Sequence, residues 1–422
     1  MLNHLKLRGI GPVPELDIEL ASRVNFLTGD NGLGKSFVLD VAWWALTRTW
    51  ARGVMVRPNP DAGKATIAHS YGQFSGESEF ARLKQQWPVK RGRPPIPGVI
   101  LYAGVDGSFS VWDPARNYWK DQQPERPRSF DFSPPAVWDG LTSPEGTKVC
   151  NGLIHDWVYW QVGRKPEFDD LAEVLKSLSP SLVERLLPGE PMRVGDDVID
   201  YPSLRMPYGM DVPLIHASAA MRRIAALAYL LVWAWREHQL ACKRLELKPA
   251  QEIVFLIDEI ECHLHPQWQR RVVPALLGVM EALTGSQQIP VQLIAATHSP
   301  LVLASLEPDF DETRDRIWDF NLVAGAVQVR EFAWNRKGDV NAWLASEAFG
   351  LREPRSWPAE VAIQAAKQLL FELGQPNNGK QIEDSARARV LEADEALRRA
   401  LADVDPFWVR WGFFRDEVLR GQ

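Results

Sequence analysis

Several polar side chains of this sequence directly follow short apolar runs, at a spacing that suits phosphate chemistry. Residues 26–36 read FLTGDNGLGKS: an apolar run, a loop with three glycines, then a lysine and a serine. Without a Cβ, glycines let backbone N–H groups close around a phosphate, and a helix that starts there adds a favourable dipole. The predicted phosphate-contacting residues are Gly29, Asp30, Asn31, Gly32, Leu33, Gly34, Lys35 and Ser36. A glycine-rich turn that matches by chance is the alternative.

A second group of charged residues supplies what such a loop needs for hydrolysis. The run IVFLI at 253–257 ends in Asp258 and Glu259. A buried parallel strand would deliver Asp258 to the sheet edge where ligands bind, and there it could share Mg²⁺ with Ser36. Glu259 is then placed to orient or deprotonate a water molecule. An acidic pair that merely ends a strand is the plainer interpretation.

Two further residues stand at similar positions. His298 ends the apolar run in QLIAATHSP, so it should reach the same sheet edge and hydrogen-bond a terminal phosphate. Ser218 precedes the helical run AAMRRIAALAYLLVWAW, where a helix start forms an anion-binding end. A structural histidine and an ordinary helix cap are the alternatives.

The elements that must position these residues follow from hydrophobic patterning. Three short strands are predicted before residue 30, and the helix after the loop is apolar nearly all round, which predicts burial between layers. Strand, helix and strand across 253–296 indicate parallel βαβ construction. A strand pair is predicted near 316–334, followed by two helical stretches. The stretch 52–212 is proline-rich and reads as an insertion with a hairpin turning at Asp106-Gly107.

Composition limits the class of protein. Apolar residues make up 45% of the 422, which supports a large core, and the net charge of −6 comes with scattered lysines and arginines. Charge therefore does not indicate a nucleic-acid-binding protein, although it leaves room for a local basic groove. Three separated cysteines indicate neither a disulfide framework nor a zinc site. The apolar run at 224–235 is too short to span a membrane and no signal peptide is evident, so we expect a cytoplasmic protein.

In this order the motifs resemble the ATPase head shared by ABC, SMC and RecF proteins. GDNGLGKS is similar to that group's P-loop, FLIDEIECHLHP to its Walker B strand and D-loop, and ATHSP to its switch histidine. The ending Leu264-His265-Pro266 and the run THSPLVL resemble, more narrowly, the RecF-like AAA ATPases of Septu-, PARIS- and OLD-type anti-phage systems. The resemblance covers about residues 1–50 and 213–305.

The resemblance implies an α/β fold: an ABC/RecF-type P-loop ATPase head with a mixed sheet, an inserted α+β subdomain and a helical C-terminal region. The implied regions are 1–51 and 213–335 for the head, 52–212 for the insertion and 336–422 for the C-terminal region. It also implies ATP and Mg²⁺ as cofactors, and a homodimer or higher homo-oligomer in which Ser218 of one chain meets the γ-phosphate held by the other. Ala219 and Ala220 stand where that family usually has glycines.

Other functions fit less well. A transporter motor or an SMC protein would need a membrane partner or a long coiled coil, and a GTPase would need an Asn-Lys-x-Asp motif. Two hypotheses remain: a regulatory ATPase of an anti-phage complex that controls a separate effector, such as an HNH or Toprim nuclease, and a RecF-like DNA-repair ATPase that clamps DNA.

Three smaller predictions remain open. His263 and His265 could form a metal pair, although a D-loop at a subunit contact is favoured. Gln73 and Gln161 are candidates for the family's Q-loop glutamine. In the tail, Phe407, Trp411 and Phe414 share one helical face with Trp408 beside it, and this face either docks a partner or packs on its own domain.

Overall fold

The chain folds into two compact units. The computed structural model describes residues 1–88, 98–117, 127–181, 183–284, 289–373 and 384–420. The first unit is Met1–Val340 and the second is Asn341–Gln422. Each has an apolar cluster of its own. The four regions expected from the sequence stay predictions.

A large mixed sheet forms the centre of the first unit. Within the described ranges it has eight strands, which run from edge to edge in the order β17 (Ala326–Glu331), β16 (Asp315–Val323), β3 (Val24–Gly29), β15 (Val291–Ala296), β14 (Ile253–Ile257), β6 (Val99–Ala103), β7 (Phe109–Trp112) and β8 (Phe130–Phe132). The five strands from β16 to β6 are parallel, and the outer ones pair antiparallel. Strands β14 and β15 are buried along their whole length, as expected where helices cover both faces of a sheet. The predicted α/β fold with a mixed sheet is confirmed.

A second, antiparallel sheet lies on the other side of the first helix. Among the described residues it has the order β2 (Glu15–Glu19), β1 (Leu2–Arg8), β4 (Thr66–Tyr71) and β5 (Phe74–Glu79). Burial alternates along β2, which matches the alternation of its sequence. Helix α1 (Lys35–Thr47) contacts strands of both sheets and buries Trp43 and Trp44 between them. The prediction of a helix buried between layers is therefore confirmed.

The other helices of the first unit pack on the large sheet or against one another. They are α2 (Pro134–Asp139), α3 (Leu153–Val162), α4 (Pro166–Ser177), α5 (Ala219–Arg244), α6 (Pro266–Gln269), α7 (Val272–Thr284) and α8 (Pro300–Ser305). Helix α5 contains the apolar run 224–235, all of it buried, as predicted. In the part of the chain that the structure describes, no helix has the length and apolar character needed to cross a membrane.

The helix predicted between the two strands of 253–296 is divided into α6 and α7. The physical reason lies in Pro274, which has no N–H to donate to the carbonyl of Arg270. Pro274 is the third residue of α7, within the first turn, where a helix needs no such donor.

The stretch 52–212 is built into the first unit. It supplies β4 and β5 to the antiparallel sheet and β6, β7 and β8 to the large sheet. The hairpin of β6 and β7 turns at Asp106 and Gly107, where Gly107 has a φ of 83°, as the sequence predicts. The remaining short elements of this stretch are β9 (Leu141–Thr142), β10 (Lys148–Cys150), β11 (Leu187–Pro188), β12 (Ser203–Arg205) and the 3₁₀ turn Ala51–Gly53; β13 (Asp211–Pro213) and the 3₁₀ turn Leu214–His216 follow.

The second unit is helical. Its described helices are α9 (Val340–Leu344), which starts at the boundary, α10 (Trp357–Leu373), α11 (Asp384–Ala400) and α12 (Phe407–Arg420), where the sequence predicts two helical stretches. Asp394 and Arg398, four residues apart on α11, form an ion pair at 2.7 Å. Asp394 is nevertheless buried rather than solvated, because it also accepts a hydrogen bond from the Trp411 indole at 2.9 Å.

The apolar face of the tail packs inside its own unit. Trp411 is fully buried and Phe414 is 7% exposed, both in the cluster formed with α10 and α11. The structure therefore supports the alternative in which this face packs on its own unit, because its central ring is covered by the chain's own helices. Docking of a partner there stays a prediction.

Candidate nucleotide site

The loop between β3 and α1 has the backbone shape of a phosphate cradle. Gly29, Gly32 and Gly34 have φ values of 113°, 75° and 99°, in the left-handed region that side chains disfavour. A Cβ on Gly29 would lie 2.0 Å from the carbonyl oxygen of Phe320 on β16. Asp30, Asn31 and Gly32 are exposed, while Leu33 is buried. The loop therefore presents open backbone at the start of a 13-residue helix.

The side chain of Lys35 hydrogen-bonds the backbone of this loop. Its side chain is buried, and its Nζ donates to the carbonyl oxygens of Gly29 at 2.9 Å and of Asp30 at 2.6 Å. Burial lowers the pKa of Lys35, and the negative charges of Asp30 and Asp258 act in the opposite direction. A multiply charged anion in the loop would take the place of those carbonyl contacts.

Two oxygen ligands meet beside the loop. The hydroxyl of Ser36 donates to Oδ1 of Asp258 at 2.9 Å, although the two residues are 222 positions apart. Asp258 is buried, its N–H donates to the carbonyl of Ala103 on β6 at 2.9 Å, and burial raises the pKa of its carboxyl. A nearby divalent cation would oppose that increase.

This pair of oxygens fits Mg²⁺. Magnesium in nucleotide sites is held by one or two protein oxygens and completed by phosphates and water. Across the described ranges no group of three or more His, Cys, Asp and Glu side chains could hold a metal alone. Ser36 and Asp258 are thus an incomplete shell of the kind that a bound nucleotide would complete.

Glu259 and His298 stand at the same edge, after neighbouring strands. Glu259 follows Asp258 with a φ of 46°, a strained conformation of the kind that clusters at functional sites. His298 follows β15, and burial lowers its pKa, with a further decrease from the positive charge of Lys35. The charges of Lys35, Asp258 and Glu259 all act on His298, so the structure brings these predicted residues together.

Ser218 lies elsewhere. Its Oγ accepts the N–H of Met221 at 3.3 Å and caps α5, with Ala219 exposed and Ala220 buried. Among the described residues, the hydrogen bonds of the P-loop do not reach Ser218. Its part in a site shared between two chains stays a prediction.

The weaker candidates have local contacts. His265 caps α6 through the N–H of Gln267 at 3.4 Å, and His263 is exposed. Gln161 donates to the carbonyl of Gly189 at 2.8 Å, away from the P-loop, and Gln73 is exposed in the turn between β4 and β5.

Sequence reasoning missed three residues of this edge. Arg223 donates to the carbonyl of Asp258 at 3.3 Å and links α5 to the Walker B turn. Arg52 and Asp40 form an ion pair at 2.8 Å, and the charge of Arg52 lowers the pKa of Asp258 against the larger effect of burial. The sequence around Arg52 does not predict its role in the site, because the residues that its side chain contacts lie on α1 and β6.

Glu261 was also missed. Its carboxylate accepts hydrogen bonds from the loop that carries His298. A third acidic residue in the run DEIE was the available signal, but the stretch contains other acidic side chains and nothing in it indicates the partner.

Comparison with known proteins agrees with this geometry. Residues 164–304 match the family described as "AAA domain, putative AbiEii toxin, Type IV TA system". The matched stretch contains Ser218, Asp258, Glu259 and His298. This part of the chain is therefore similar to AAA-type ATPase domains.

A curated relative matches this ATPase locally. It is the "Retron Vc95 probable ATPase" of Vibrio cholerae serotype O1 biovar El Tor, 42% identical over 53 residues. Those residues are 13% of this chain and 9% of the relative. Together with the family match, they support the predicted resemblance to AAA-type ATPases.

Two solved structures also match this chain over most of its length. The SMC head domain from Thermotoga maritima is 16% identical with a TM-score of 0.37, over 79% of this chain and 99% of that one. The recombination mediator RecF, bound to ATPrS, is 13% identical with a TM-score of 0.38, over 79% of this chain and 98% of that one.

Proposed function

We propose that the protein is a regulatory ATPase subunit that binds ATP, hydrolyses it slowly and thereby controls a separate effector protein of a bacterial anti-phage complex. One observation carries the proposal. A phosphate cradle, a Ser–Asp oxygen pair, a strained glutamate and a histidine converge on the carboxyl edge of three adjacent parallel strands, β3, β15 and β14.

Each residue of this edge has a role that its position supports. Lys35 and the backbone N–H groups of the loop bind the β- and γ-phosphates, and Ser36 and Asp258 hold Mg²⁺. When bound, the cation neutralises charge on the phosphates. Glu259 orients or deprotonates the attacking water, and His298 hydrogen-bonds the γ-phosphate and so detects it.

The regulatory part of the proposal requires a second chain. Ser218 caps a long helix with an exposed N-terminus, which can meet a γ-phosphate held by another copy. ATP would then join two chains head to tail, and hydrolysis would separate them. Ala219 is exposed at this helix start, so its methyl group would enter the contact and limit how tightly it closes.

The effector is proposed to be a nuclease of HNH or Toprim type on a separate chain. The local similarity to a retron ATPase supports a defence setting, and the scattered charge of the chain favours action through a partner. Purification together with the products of neighbouring genes, with and without ATP, tests this association.

The test of the ATPase mechanism is Glu259→Gln, which keeps the size of the side chain but removes the base. Turnover should fall by about 10²- to 10⁴-fold, the usual contribution of a general base, while ATP binding persists. The ATP-bound variant should also accumulate as a dimer, measured by size-exclusion chromatography with light scattering. Unchanged turnover would contradict the mechanism.

Two controls accompany that variant. Glu173→Gln makes the same chemical change at a 57% exposed side chain on α4 and should leave turnover unchanged. Lys35→Ala should instead abolish ATP binding, because it removes the main positive charge beside the phosphates.

A DNA-clamping ATPase of RecF type is the alternative. Exposed Arg82 and Lys84 line a surface groove together with Lys64, which pairs with Glu79 of the same groove at 3.1 Å, so basic side chains outnumber acidic ones there. Fluorescence anisotropy with labelled duplex DNA discriminates between the two: ATP-dependent binding that weakens steeply with salt supports the clamp.

A further inference from the structure

The turn after β14 and the loop after β15 are joined by hydrogen bonds. The N–H of Ile260 donates to the carbonyl of Ala296 at 3.1 Å. One residue further, Oε2 of Glu261 accepts the hydroxyl of Thr297 at 2.7 Å, and Oε1 accepts the N–H of His298 at 2.5 Å. A single carboxylate therefore holds the loop at two consecutive residues.

The same loop is also fixed from its other sides. The N–H of Thr297 donates to the carbonyl of Leu27 on β3 at 3.0 Å. The hydroxyl of Ser299 donates to Oε1 of Gln269 at 2.6 Å, and Nε2 of Gln269 donates to the carbonyl of Leu264 at 2.9 Å. The backbone on either side of His298 is thus tied to the turn that carries Glu259.

A carboxylate accepts at both of its oxygens, so Glu261 can bind the Thr297 hydroxyl and the His298 N–H at the same time. A glutamine could still accept the N–H of His298, but its NH₂ would require the Thr297 hydroxyl to turn and accept. That oxygen already accepts the N–H of Ser299 at 3.1 Å. Such charge-assisted bonds are also stronger than those between neutral groups.

We propose that Glu261 is a positioning residue that fixes the distance between His298 and Glu259. This inference rests on the proposed function, because it concerns how the histidine and the base come to face the same phosphate. Glu261 touches the backbone of His298 rather than its ring, so it acts by placing the imidazole. The turn of residues 259–261 and the loop of 297–299 then move as one body when nucleotide binds or leaves.

Glu261→Gln tests the proposal through the kinetics of ATP hydrolysis. The turnover number should fall about ten- to hundredfold, the effect of losing a hydrogen bond to a charged group, whereas KM for ATP should change less than about twofold. In a His298→Ala background, Glu261→Gln should lower the turnover number by less than about a further twofold, because the imidazole that Glu261 positions is already absent.

A matched pair at Thr297 keeps the test valid if the glutamine variant does not fold. Thr297→Ser preserves the hydroxyl that Glu261 binds, whereas Thr297→Val removes it at similar volume. We expect the Thr297→Ser variant to have a near-normal turnover number. The Thr297→Val variant should have a lower turnover number with an unchanged KM for ATP. Thermal unfolding of each variant identifies any loss of fold.

The outcomes separate this inference from the proposed function. If the wild-type protein hydrolyses ATP and Glu261→Gln matches it, or if the substitution costs as much without His298 as with it, Glu261 does not position the histidine. If the wild-type protein neither binds nor hydrolyses ATP, the proposed function fails and this inference falls with it.

Discussion

At the scale of single residues, the charge of Lys35 extends to the histidine across the site. Lys35 lowers the pKa of His298, in addition to the larger effect of burial. A lowered pKa keeps the imidazole neutral at pH 7, and it gains a proton only below the ordinary value near 6.5. At neutral pH the ring is then a neutral hydrogen-bond donor that can bind a phosphate when one enters the site.

This coupling gives a measurable prediction for Lys35→Ala. Removal of the ammonium should raise the midpoint of the His298 titration towards the ordinary value, because one of the charges that opposes protonation is gone. The Cε1–H signal of His298, followed by NMR against pH without nucleotide, reports that midpoint. Lys64→Ala, at a 65% exposed side chain, is the control and should leave it in place. An unshifted midpoint in Lys35→Ala would show that the two groups are not coupled.

At the scale of elements, the packing of α1 against β4 contains a titratable group. His69 of β4 is 3% exposed and lies among the rings of Trp44, Tyr71 and Phe74. Its Nε2 lies 2.5 Å from the Arg48 guanidinium just after α1. Burial, with a smaller contribution from Arg48, lowers the pKa of His69 to about 3. The layer contact between helix and sheet therefore requires neutral histidine.

This contact predicts how the free energy of unfolding depends on pH. Below about pH 6.5 the unfolded chain protonates His69 while the folded protein does not, so stability falls as pH decreases. The loss from this one group approaches about 1.4 kcal/mol per pH unit. His69→Gln removes the titration, so its unfolding free energy, measured with urea, should fall less steeply between pH 6.5 and 4.

An internal control exists for that comparison. Above pH 7.5 the imidazole is neutral in both states, so the difference between wild type and His69→Gln should not vary with pH. Equal slopes in the acidic range would mean that His69 takes up a proton in the folded protein.

At the scale of the whole molecule, the candidate site belongs to one unit. The P-loop, Asp258, Glu259 and His298 all lie within Met1–Val340, and the second unit has its own apolar cluster. A chain that ends at Val340 should bind a fluorescent ATP analogue with the affinity of the full chain. Circular dichroism and thermal unfolding establish that the shortened protein is folded. Loss of binding in a folded protein would show that the C-terminal unit is required for the site.

The sequence determined the parts of the site that are local in the chain. A glycine-rich loop between a strand and a helix is compatible with few backbone conformations. In the structure, the backbone at Gly29 leaves no room for a Cβ. Apolar runs ending in Asp258-Glu259 and His298 likewise indicate their own strands. Parallel pairing then places their carboxyl ends at one edge, so the composition of the site followed from its motifs.

Only the tertiary structure decided which of these groups touch. Ser36 meets Asp258 across 222 positions, and Glu261 meets the His298 loop across 37. It also decided that the stretch 52–212 adds strands to both sheets and that Trp411 and Phe414 of the tail are buried. The spacing of apolar residues shows that one face of a helix or strand is buried. It does not show which element packs against that face, because many elements could cover the same pattern. Contacts between residues far apart in the chain depend on how the whole unit packs. The sequence alone therefore did not decide between the alternative contacts.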